Sequence, residues 1–496
     1  MRVIWIHHDA PLTLDGAGYF WYAIETSITG SFPTSECGWR CTFPNTGWAS
    51  FLSIFFMIFS FENYIDYMNL QRYLSVIISV VTTIPLYFIC KIFVEKRYAI
   101  IGSILFAFNP RIIENSILGI TEPMFILAIT MMMYTFFQHG KNYPFIVFGI
   151  IGIISIIRYE GLLLFVPISL VYFYKFRFSK KSITKYCIAV TLFLLIIIPW
   201  AMMKIDTTGQ DGMISHISAG PTYYNNVAND SKDPNEVINL FLSTGFTTMM
   251  RFLGLATLPW LIFLVPLGIY TMISKKDFLN VIILFSVIAV LLLPAFYAYS
   301  RSFQEVRYLL AIFPIFCIFS SFFVRNITEK MKHRETVLIL FTIMIISSTV
   351  GFIEYKNSDD VNQVEAYKVA KEITKLTKVV TYYSQSGHLD NTRILEANEF
   401  PILRKDLPPS IISIYPDNYD TFEDYVSDNK KNGLEYVIVD KGDWRSKFLD
   451  DVFQNEENYP YLHKIFDSRD SGYQNYYVKI FRINFDEFES LKSIAQ

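Results

Sequence analysis

The sequence predicts a polytopic α-helical membrane protein with a soluble α/β domain at its C-terminal end. Of its 496 residues, 52% are hydrophobic, 17% are aromatic and only 18% are charged, which is a more apolar balance than that of soluble domains of this size. The long apolar runs end near residue 353, and the remaining sequence is polar and charged. The net charge of −2 gives no indication of a nucleic-acid partner.

The membrane-spanning segments follow from the apolar runs, because a helix needs roughly 20 mostly apolar residues to cross a hydrocarbon layer about 30 Å thick. We expect about ten spans. Several in the first half are short, and such spans are either tilted or half-helices protected by their neighbours. The predicted spans are 72–92, 98–110, 122–138, 143–157, 160–176, 185–203, 251–273, 278–298, 308–325 and 335–353.

Charge predicts the orientation of these spans, since cytoplasmic loops carry an excess of Lys and Arg. The basic set of alternate loops holds Lys91, Lys96, Arg97, Lys141, Lys175, Arg177, Lys180, Lys181, Lys185, Lys275, Lys276, Arg325, Lys330, Lys332 and Arg334. The other, longer set holds only Arg111, Arg158, Lys204, Lys232, Arg251, Arg301 and Arg307. We therefore place the first set in the cytoplasm and the C-terminal domain outside, in the plasma membrane of a prokaryote rather than in the endoplasmic reticulum.

The chain divides into an external catalytic loop with interfacial helices (1–71), a transmembrane domain (72–353) and an extracytoplasmic α/β domain (354–496). With ten spans, residue 1 would lie outside. Either the N-terminus is translocated without a helix of its own, or a first helix is missing from this start, which would make eleven spans; we favour the second. The run Trp48–Phe61 reads as an interfacial helix with its Trp at the headgroup level.

Ionisable residues at span ends give a more specific signal, because such residues are costly in lipid and usually face the protein interior or a cavity. Three turns predicted on the external face carry them, together with the loop DGAGYF around Asp15, whose glycines allow close approach to the backbone. The alternative for Arg158 and Glu160 is a structural pair that braces short helices. The turns contain Arg111, Glu114 and Glu122; Arg158 and Glu160; and Arg301, Glu305, Arg307 and Tyr308.

These residue types fit the transfer of a sugar from a lipid phosphate. Arginine binds phosphate with a planar fork and stays charged, so Arg301 and Arg307 are the candidates for binding the leaving group. A carboxylate must take the proton of the acceptor hydroxyl, and Asp15 is the candidate base. Glu122 would orient the acceptor or hold a divalent cation, with Asp15 as the other ligand; no other cofactor is expected. The remaining candidates are Tyr308 and Arg158 for donor binding and Tyr19, Glu160 and Arg111 for support.

The motifs LDGAGYFWYA, GITEPMF, IIRYEGLLL and EVRYLLAIFP, in this order over roughly residues 8–325, resemble the C-type membrane glycosyltransferases. The resemblance is to the branch of protein O-mannosyltransferases and lipid A aminoarabinose transferases. It implies an essential acid in the first external loop, at Asp15, and a second acid opening a helix, at Glu122. It also implies phosphate-binding basic residues on later loops, at Arg301 and Arg307. The tail lacks a WWDYG motif, which argues against the oligosaccharyltransferase branch.

The expected function is therefore that of an inverting hexosyltransferase in the membrane. Its donor would be a sugar on a polyprenyl (dolichyl-type) phosphate, and its acceptor a hydroxyl of a protein, lipid or glycan on the external face. One alternative is a transporter or flippase of lipid-linked sugars, which should show inverted repeats and polar groups near the bilayer midplane. The other is a non-catalytic membrane scaffold, for which these residues need not share a cavity.

The C-terminal domain is predicted from alternating helical and strand patterns, and we expect an accessory or acceptor-facing role for it. Helices are predicted at Asn362–Leu376 and Thr421–Asn432, and strands at Val379–Tyr383, at Glu435–Asp440 and near the end in YYVKIFRINF. In the first loop, Cys37 and Cys41 are close enough in sequence to form a disulfide, and the reduced pair is the equal alternative.

Overall fold

The structure is a computed structural model, and it falls into two compact units. It describes residues 4, 6, 8, 12, 14–33, 45–61, 64–138, 143–219, 234–274, 278–377, 382–384, 413–414, 419–440 and 447–495. The helical unit comprises Met1–Ile6, Gly18–Phe59 and Leu70–Ile353, and the sheet unit comprises His7–Ala17, Ser60–Asn69 and Glu354–Gln496. Cys37 and Cys41 lie outside the described residues.

The helical unit is built from apolar helices around one extended hydrophobic core. A 3-10 helix, Tyr159–Leu164, precedes α9, and a second one, Val306–Ile312, precedes α14. The helices are α1 Leu14–Thr29, α2 Thr46–Ile58, α3 Tyr64–Val81, α4 Thr83–Phe93, α5 Lys96–Ala107, α6 Pro110–Ser116, α7 Glu122–Gln138, α8 Tyr143–Ile157, α9 Phe165–Phe176, α10 Lys180–Thr208, α11 Pro234–Thr257, α12 Leu261–Ser274, α13 Phe278–Ser300, α14 Phe313–Thr328 and α15 Arg334–Thr377.

The polytopic helical class predicted from the sequence is confirmed. Among the described residues, six helices are long and apolar enough to cross a membrane, or seven if one bent pair is counted as a span. Three predicted spans correspond to the helices α5, α7 and α8, which have 12, 17 and 15 residues. The count of ten spans is not confirmed and stays a prediction. The six helices are Ile65–Phe93, Tyr159–Phe176, Lys180–Thr208, Leu279–Ser300, Val306–Thr328 and Arg334–Tyr355.

The segment predicted as one span over 251–273 is broken in the structure. Helices Val237–Thr257 and Leu261–Ser274 meet at an angle of 97°. The break contains Pro259, which has no backbone N–H to continue the helix. The second helix then packs closely on α14, because Gly268 lies against the backbone carbonyl of Phe319 and leaves no room for a Cβ.

One face of helix α2 packs against the helical unit, and the interfacial position predicted for this helix stays a prediction. Trp48 is fully buried, and its indole N–H donates to the carbonyl of Gly119 over 2.9 Å. A Cβ on Gly47 would lie 2.7–2.9 Å from the backbone of Ile156 and Ile157, so the glycine permits the contact between α2 and α8. Trp200 of α10 donates to the same helix at the Thr46 hydroxyl over 3.0 Å.

The sheet unit contains a five-stranded mixed sheet in the order β2-β1-β3-β5-β4. The first three strands of that order are parallel, and the remaining pairings are antiparallel. This confirms the small α/β domain and the strand over Glu435–Asp440, which lies within β3. The elements are β1 Tyr382–Ser384, β2 Ser413–Ile414, α16 Phe422–Asn429, β3 Leu434–Asp440, α17 Lys447–Gln454, β4 Leu462–Asp467, β5 Val478–Ile483 and α18 Phe485–Ala495.

The helix predicted at 362–376 is not a separate element but the end of α15, which runs for 44 residues. Within the sheet unit this end is held by Glu365. Its carboxylate accepts hydrogen bonds from the backbone N–H of Asn475 (2.7 Å), the side-chain amide of Asn475 (2.8 Å) and the backbone N–H of Tyr476 (2.8 Å). Burial alone would raise the pKa of Glu365, but these hydrogen bonds outweigh it and the pKa lies below its usual value.

Candidate active site

A cavity of about 460 Å³ lies in the helical unit, between the beginning of α7, the junction of α8 with its following 3-10 helix, and the C-terminal half of α13. Charged and polar side chains meet apolar ones in its wall. The cavity is lined by Asn45, Glu122, Phe125, Ile126, Arg158, Tyr159, Glu160, Leu163, His216, Ile217, Val290, Leu291, Leu293, Pro294, Ala295, Tyr297, Ala298, Arg301, Phe303, Arg307, Tyr308 and Ala311.

One side of the cavity, which we call the carboxylate side, consists of Glu122, Arg158 and Glu160. The guanidinium of Arg158 donates to Glu160 twice, from Nη2 over 2.7 Å and from Nε over 3.3 Å. Its Nη1 donates to Oε1 of Glu122 over 2.7 Å. The side chains are only 14%, 7% and 8% exposed for Arg158, Glu122 and Glu160, so this is a buried ion-pair network.

The local sequence explains why this network forms. Glu122 occupies the first turn of α7, where the helix dipole favours a negative charge. Arg158 ends α8 in extended conformation, and its guanidinium carbon lies 5.5 Å from the ring centroid of Phe125. A Cβ on Gly161 would lie 2.6–2.7 Å from Ile154 and from the backbone of Ser155, so the turn that carries Glu160 depends on this glycine. Two carboxylates and one guanidinium give this side a formal charge of −1.

A second part of the wall, which we call the arginine side, is formed by the turn after α13. The N–H of Phe303 donates to the carbonyl of Ala298 and the N–H of Ser302 to that of Tyr299, at 3.2 and 3.0 Å. This is the Schellman arrangement of a helix end. Ser302 takes the left-handed conformation it requires, with φ = 65°. Arg301 directly follows the last residue of α13 in this turn, and its side chain is exposed.

Both arginines of this side lie against aromatic rings. The guanidinium carbon of Arg301 is 5.8 Å from the ring centroid of Tyr297 and 5.6 Å from that of Phe303. Arg307 lies 5.5 Å from the ring centroid of Tyr308 and forms an ion pair with Glu305. The Arg307 side chain is 19% exposed, and that of Glu305 is 51% exposed. The cationic side is therefore more open to solvent than the carboxylate side.

An apolar wall completes the cavity. It consists of the face of α13 from Val290 to Ala298 together with Phe125, Ile126 and Leu163. Pro294 interrupts the hydrogen-bond ladder of α13 within this face, which is tolerated in spanning helices where neighbours satisfy the backbone. The cavity thus offers three chemically different surfaces to one ligand.

The structure brings together six of the predicted site residues in the wall of the cavity, and the other three are not among its lining residues. Arg111 pairs with Glu114 over 3.1 Å on α6 and lies 4.8 Å from the ring centroid of Phe352. Tyr19 is buried in α1 and is close enough to Arg158 to interact with it electrostatically. Asp15 lies in the first turn of α1, is partly buried and belongs to the sheet unit, and its role stays a prediction. The six that line the cavity are Glu122, Arg158, Glu160, Arg301, Arg307 and Tyr308.

Sequence reasoning missed four polar residues of the wall: Asn45, Tyr159, Tyr297 and His216. Tyr159 stands inside the motif IIRYEGLLL and could have been selected with Arg158. Asn45 accepts a hydrogen bond from the N–H of Tyr159 over 3.3 Å. Nothing in the sequence separates His216, in the segment QDGMISHISAG, from an ordinary loop histidine.

Comparison with solved structures shows where this fold occurs. No protein-family model and no curated protein sequence matches the chain. The structure of ArnT from Cupriavidus metallidurans bound to undecaprenyl phosphate matches with a TM-score of 0.54 and 10% identity, over 97% of this chain and 95% of ArnT. The fold is that of the C-type membrane glycosyltransferases.

A second group of neighbours has the same fold in a longer chain. The oligosaccharyltransferase of Archaeoglobus fulgidus, in complex with zinc and sulfate, matches with a TM-score of 0.53 and 14% identity over 90% of this chain. The structure of the same enzyme, AglB, with an inhibitory peptide and a dolichol-phosphate matches with a TM-score of 0.52 and 13% identity over 88% of this chain. This chain spans about 65% of the length of the archaeal enzyme. The resemblance stated from the motifs is thus confirmed at the level of the fold.

The zinc in the archaeal complex raises the question of whether this chain could hold a metal. Among the described residues, no group of three or more His, Cys, Asp or Glu side chains is placed to hold a metal ion. Glu122, predicted as one of two ligands, instead receives a hydrogen bond from Arg158 over 2.7 Å.

Proposed function

We propose that this chain is a membrane glycosyltransferase that transfers a sugar from a polyprenyl phosphate to a hydroxyl acceptor. The observation that carries the proposal is the cavity in which two arginines, two buried carboxylates and an apolar wall meet. A prenyl chain, a phosphate and sugar hydroxyls need these three kinds of surface. Two structural neighbours bear directly on this, since one was solved with undecaprenyl phosphate and the other with dolichol-phosphate.

Arg301 and Arg307 are proposed to bind the phosphate. A guanidinium offers two parallel N–H donors to phosphate oxygens and does not lose its charge at physiological pH. The carboxylates of Glu122 and Glu160, which also line the cavity, repel a phosphate, so charge is proposed to orient the donor. Tyr308, next to Arg307, is proposed to contact the same group, and the wall of α13 is proposed to contact the first prenyl units.

In the proposed reaction the acceptor oxygen attacks the anomeric carbon, and the bond between that carbon and the phosphate oxygen breaks. The acceptor proton passes to a carboxylate, for which Asp15 is the candidate from the sequence. The donor is a phosphodiester with one negative charge and the leaving polyprenyl phosphate carries up to two, so the arginine side stabilises the charge that develops. A single displacement inverts the configuration at the anomeric carbon.

Glu122 is proposed to orient the acceptor hydroxyl, and Arg158 to hold Glu122 and Glu160 in place. The sequence predicted that Arg158 binds the donor, but its guanidinium is engaged by two carboxylates over 2.7 Å each. A positioning role therefore fits its contacts better than phosphate binding. The location of the site on the external face of a prokaryotic plasma membrane rests on the distribution of Lys and Arg between the loops.

The test is transfer of radiolabelled sugar from a panel of polyprenyl-phosphate donors in membranes that contain the chain. We expect the wild type to transfer sugar, and Asp15→Asn and Arg301→Ala/Arg307→Ala to lose at least about 100-fold in rate, the scale of a lost general base or of lost charge stabilisation. The matched control is Arg325→Ala, since Arg325 pairs with Glu329 over 2.8 Å and does not line the cavity. Quantitative immunoblotting of each variant normalises the rates to the amount of protein expressed.

The outcomes separate the proposal from its rivals. Absence of transfer by the wild type over the whole donor panel, with undecaprenyl phosphate bound, would favour a transporter or flippase of lipid-linked sugars. Absence of both transfer and binding would leave the scaffold. Equal loss in Arg325→Ala and in the arginine-side variant would show that charge removal in general, and not the cavity, causes the effect.

A further inference from the structure

His216 is a wall residue of the cavity to which the reaction described above gives no role. It lies in a short helical segment, 214–219, between α10 and α11. Asp211 fixes the beginning of that segment, because its carboxylate accepts from the N–H of Ile214 over 2.7 Å and from the N–H of Ser215 over 2.8 Å. The imidazole of His216 is half-buried. Because its helical segment is capped by Asp211, the backbone that carries the ring has a defined position.

The contacts of the imidazole place it on the carboxylate side. Its ring centroid lies 5.6 Å from that of Tyr159, which directly follows Arg158 and precedes Glu160. The Nδ1 atom is buried and has no hydrogen-bond partner among the residues that the structure describes. A buried polar atom without a partner is costly and rare in native proteins. The enclosed Nδ1 cannot itself reach a ligand, so a ligand in the cavity meets the accessible edge of this partly buried ring.

We infer that His216 contacts substrate, hydrogen-bonding a sugar hydroxyl on the carboxylate side of the cavity. This inference rests on the proposed function. A neutral imidazole has one donor and one acceptor nitrogen, which matches a hydroxyl group, since a hydroxyl both donates and accepts. A phosphate is a poorer match at this position, because the negative charge of Glu160 acts on His216, and Glu160 directly follows the Tyr159 that the ring contacts.

The charges around His216 favour its neutral form. The pKa of His216 is lowered, first by burial and then by the cation of Lys204, while Asp211 and Glu160 act in the opposite direction. Lys204 comes from the end of α10, Asp211 from the preceding loop, and Glu160 and Tyr159 from the 3-10 helix. The ring thus keeps its acceptor nitrogen at neutral pH and loses it when the pH falls below the lowered pKa.

Chemical modification tests the contact without requiring turnover. The full chain in lipid nanodiscs is treated with diethyl pyrocarbonate, and mass spectrometry measures the modification rate of each histidine. Undecaprenyl phosphate, undecaprenyl-phosphate-linked hexoses and methyl α-mannopyranoside are the probes. We expect a sugar-bearing probe to slow modification of His216 at least about fivefold more than sugar-free undecaprenyl phosphate does. His333, exposed at the turn before α15, should be unaffected by any probe.

The probes distinguish the source of the hydroxyl. Slowing by the lipid-linked hexose assigns the contact to the donor sugar, and slowing by the free glycoside alone assigns it to a sugar acceptor. Equal slowing by sugar-free undecaprenyl phosphate would overturn the hydroxyl assignment in favour of phosphate. Unchanged rates while the lipids bind, as judged by native mass spectrometry, would overturn the contact itself. Absence of any lipid binding would instead refute the proposed function.

Kinetics give a second readout that a merely structural role would not produce. In His216→Phe, kcat/KM should fall about five- to tenfold, the range expected for one hydrogen bond. The fall should come from a higher KM, with kcat nearly unchanged. His216→Gln keeps a donor and an acceptor, so it should recover to within about threefold of the wild type, again on the scale of one hydrogen bond. We also expect kcat/KM of the wild type to fall in acid as His216 takes up a proton, and this fall should be absent from His216→Gln. An identical acidic limb in His216→Gln would contradict the inference, and His333→Gln serves as the matched control.

Discussion

The two charged sides of the cavity are built in opposite ways. On the carboxylate side, Arg158 closes a network with Glu122 and Glu160 in which every side chain is at most 14% exposed. On the arginine side, Arg301 is exposed on a turn, and Arg307 pairs with a glutamate that is 51% exposed. Burial makes charge pairs hard to break, whereas solvent makes them weak. The first side should therefore contribute mainly to stability and position, and the second mainly to ligand binding.

The largest effect is expected from Arg158→Met. The substitution leaves two carboxylates buried without their counter-charge, so we expect the free energy of unfolding to fall by about 3–5 kcal/mol. Thermal unfolding of the purified protein in detergent measures the loss. Arg97→Met is the matched control, since the side chains of Arg97 and Glu335, which pair over 2.7 Å, are 33% and 66% exposed, and its loss of stability should be much smaller. Equal losses in the two variants would show that burial does not set the difference.

Arg307→Ala probes the arginine side of the cavity. It should have a small effect on stability and a large effect on ligand affinity. The free energy of unfolding should change by no more than about 1 kcal/mol, because the pair with Glu305 is partly exposed. Affinity for undecaprenyl phosphate should fall by about 1.5–3 kcal/mol, or about 10- to 150-fold, because a charge-assisted hydrogen bond is lost. Native mass spectrometry measures the affinity. Arg325→Ala should change neither quantity, and a large loss of stability with unchanged affinity would remove Arg307 from the phosphate site.

Gly161→Ala tests the backbone of the carboxylate side without changing its charges. A Cβ there would lie 2.6–2.7 Å from Ile154 and Ser155, so we expect a loss of about 1–3 kcal/mol from overpacking. The matched control is Gly254→Ala in α11, where a Cβ meets nothing within 4 Å. That variant should be neutral or slightly more stable, because alanine favours the helix. Similar thermal shifts in the two variants would contradict the close approach at Gly161.

Sequence could predict this site as far as it did because charge in an apolar run is rare and costly. That signal selected Glu122, Arg158, Glu160, Arg301 and Arg307 without any alignment, and all five line one cavity. It selected Arg111 on the same grounds, and the structure instead pairs Arg111 with Glu114 on α6. The free-energy cost of a charge in lipid identifies residues that need a partner. It does not determine whether that partner is a ligand or a neighbouring carboxylate.

The errors in the fold have a related cause. Hydropathy predicts that a segment is apolar but not whether its helix is continuous, so the break between α11 and α12 and the continuity of α15 were both missed. Hydropathy likewise gives no partner for a side chain, so the hydrogen bond from the N–H of Trp48 to the carbonyl of Gly119 could not be predicted. His216 carried no signal at all, because a single histidine in a loop is informative only once its neighbours are known.

The smallest effect is expected from Ser302→Gly, which tests how the arginine side is aimed. Ser302 has φ = 65°, a conformation that costs a residue with a Cβ about 1–2 kcal/mol, while glycine costs about 0.5–1 kcal/mol in backbone entropy. The free energy of unfolding should therefore rise by no more than about 1 kcal/mol. The converse control is Gly209→Ala at the end of α10, where φ is 72° and a Cβ would meet nothing within 4 Å. This variant should lose about 1 kcal/mol of stability.

Ser302→Gly should also change ligand binding, because the added backbone freedom makes the position of Arg301 less defined. Affinity for undecaprenyl phosphate should fall about two- to fivefold while stability does not fall. A parallel rise in both quantities would show that the strained turn opposes phosphate binding rather than aiming the arginine.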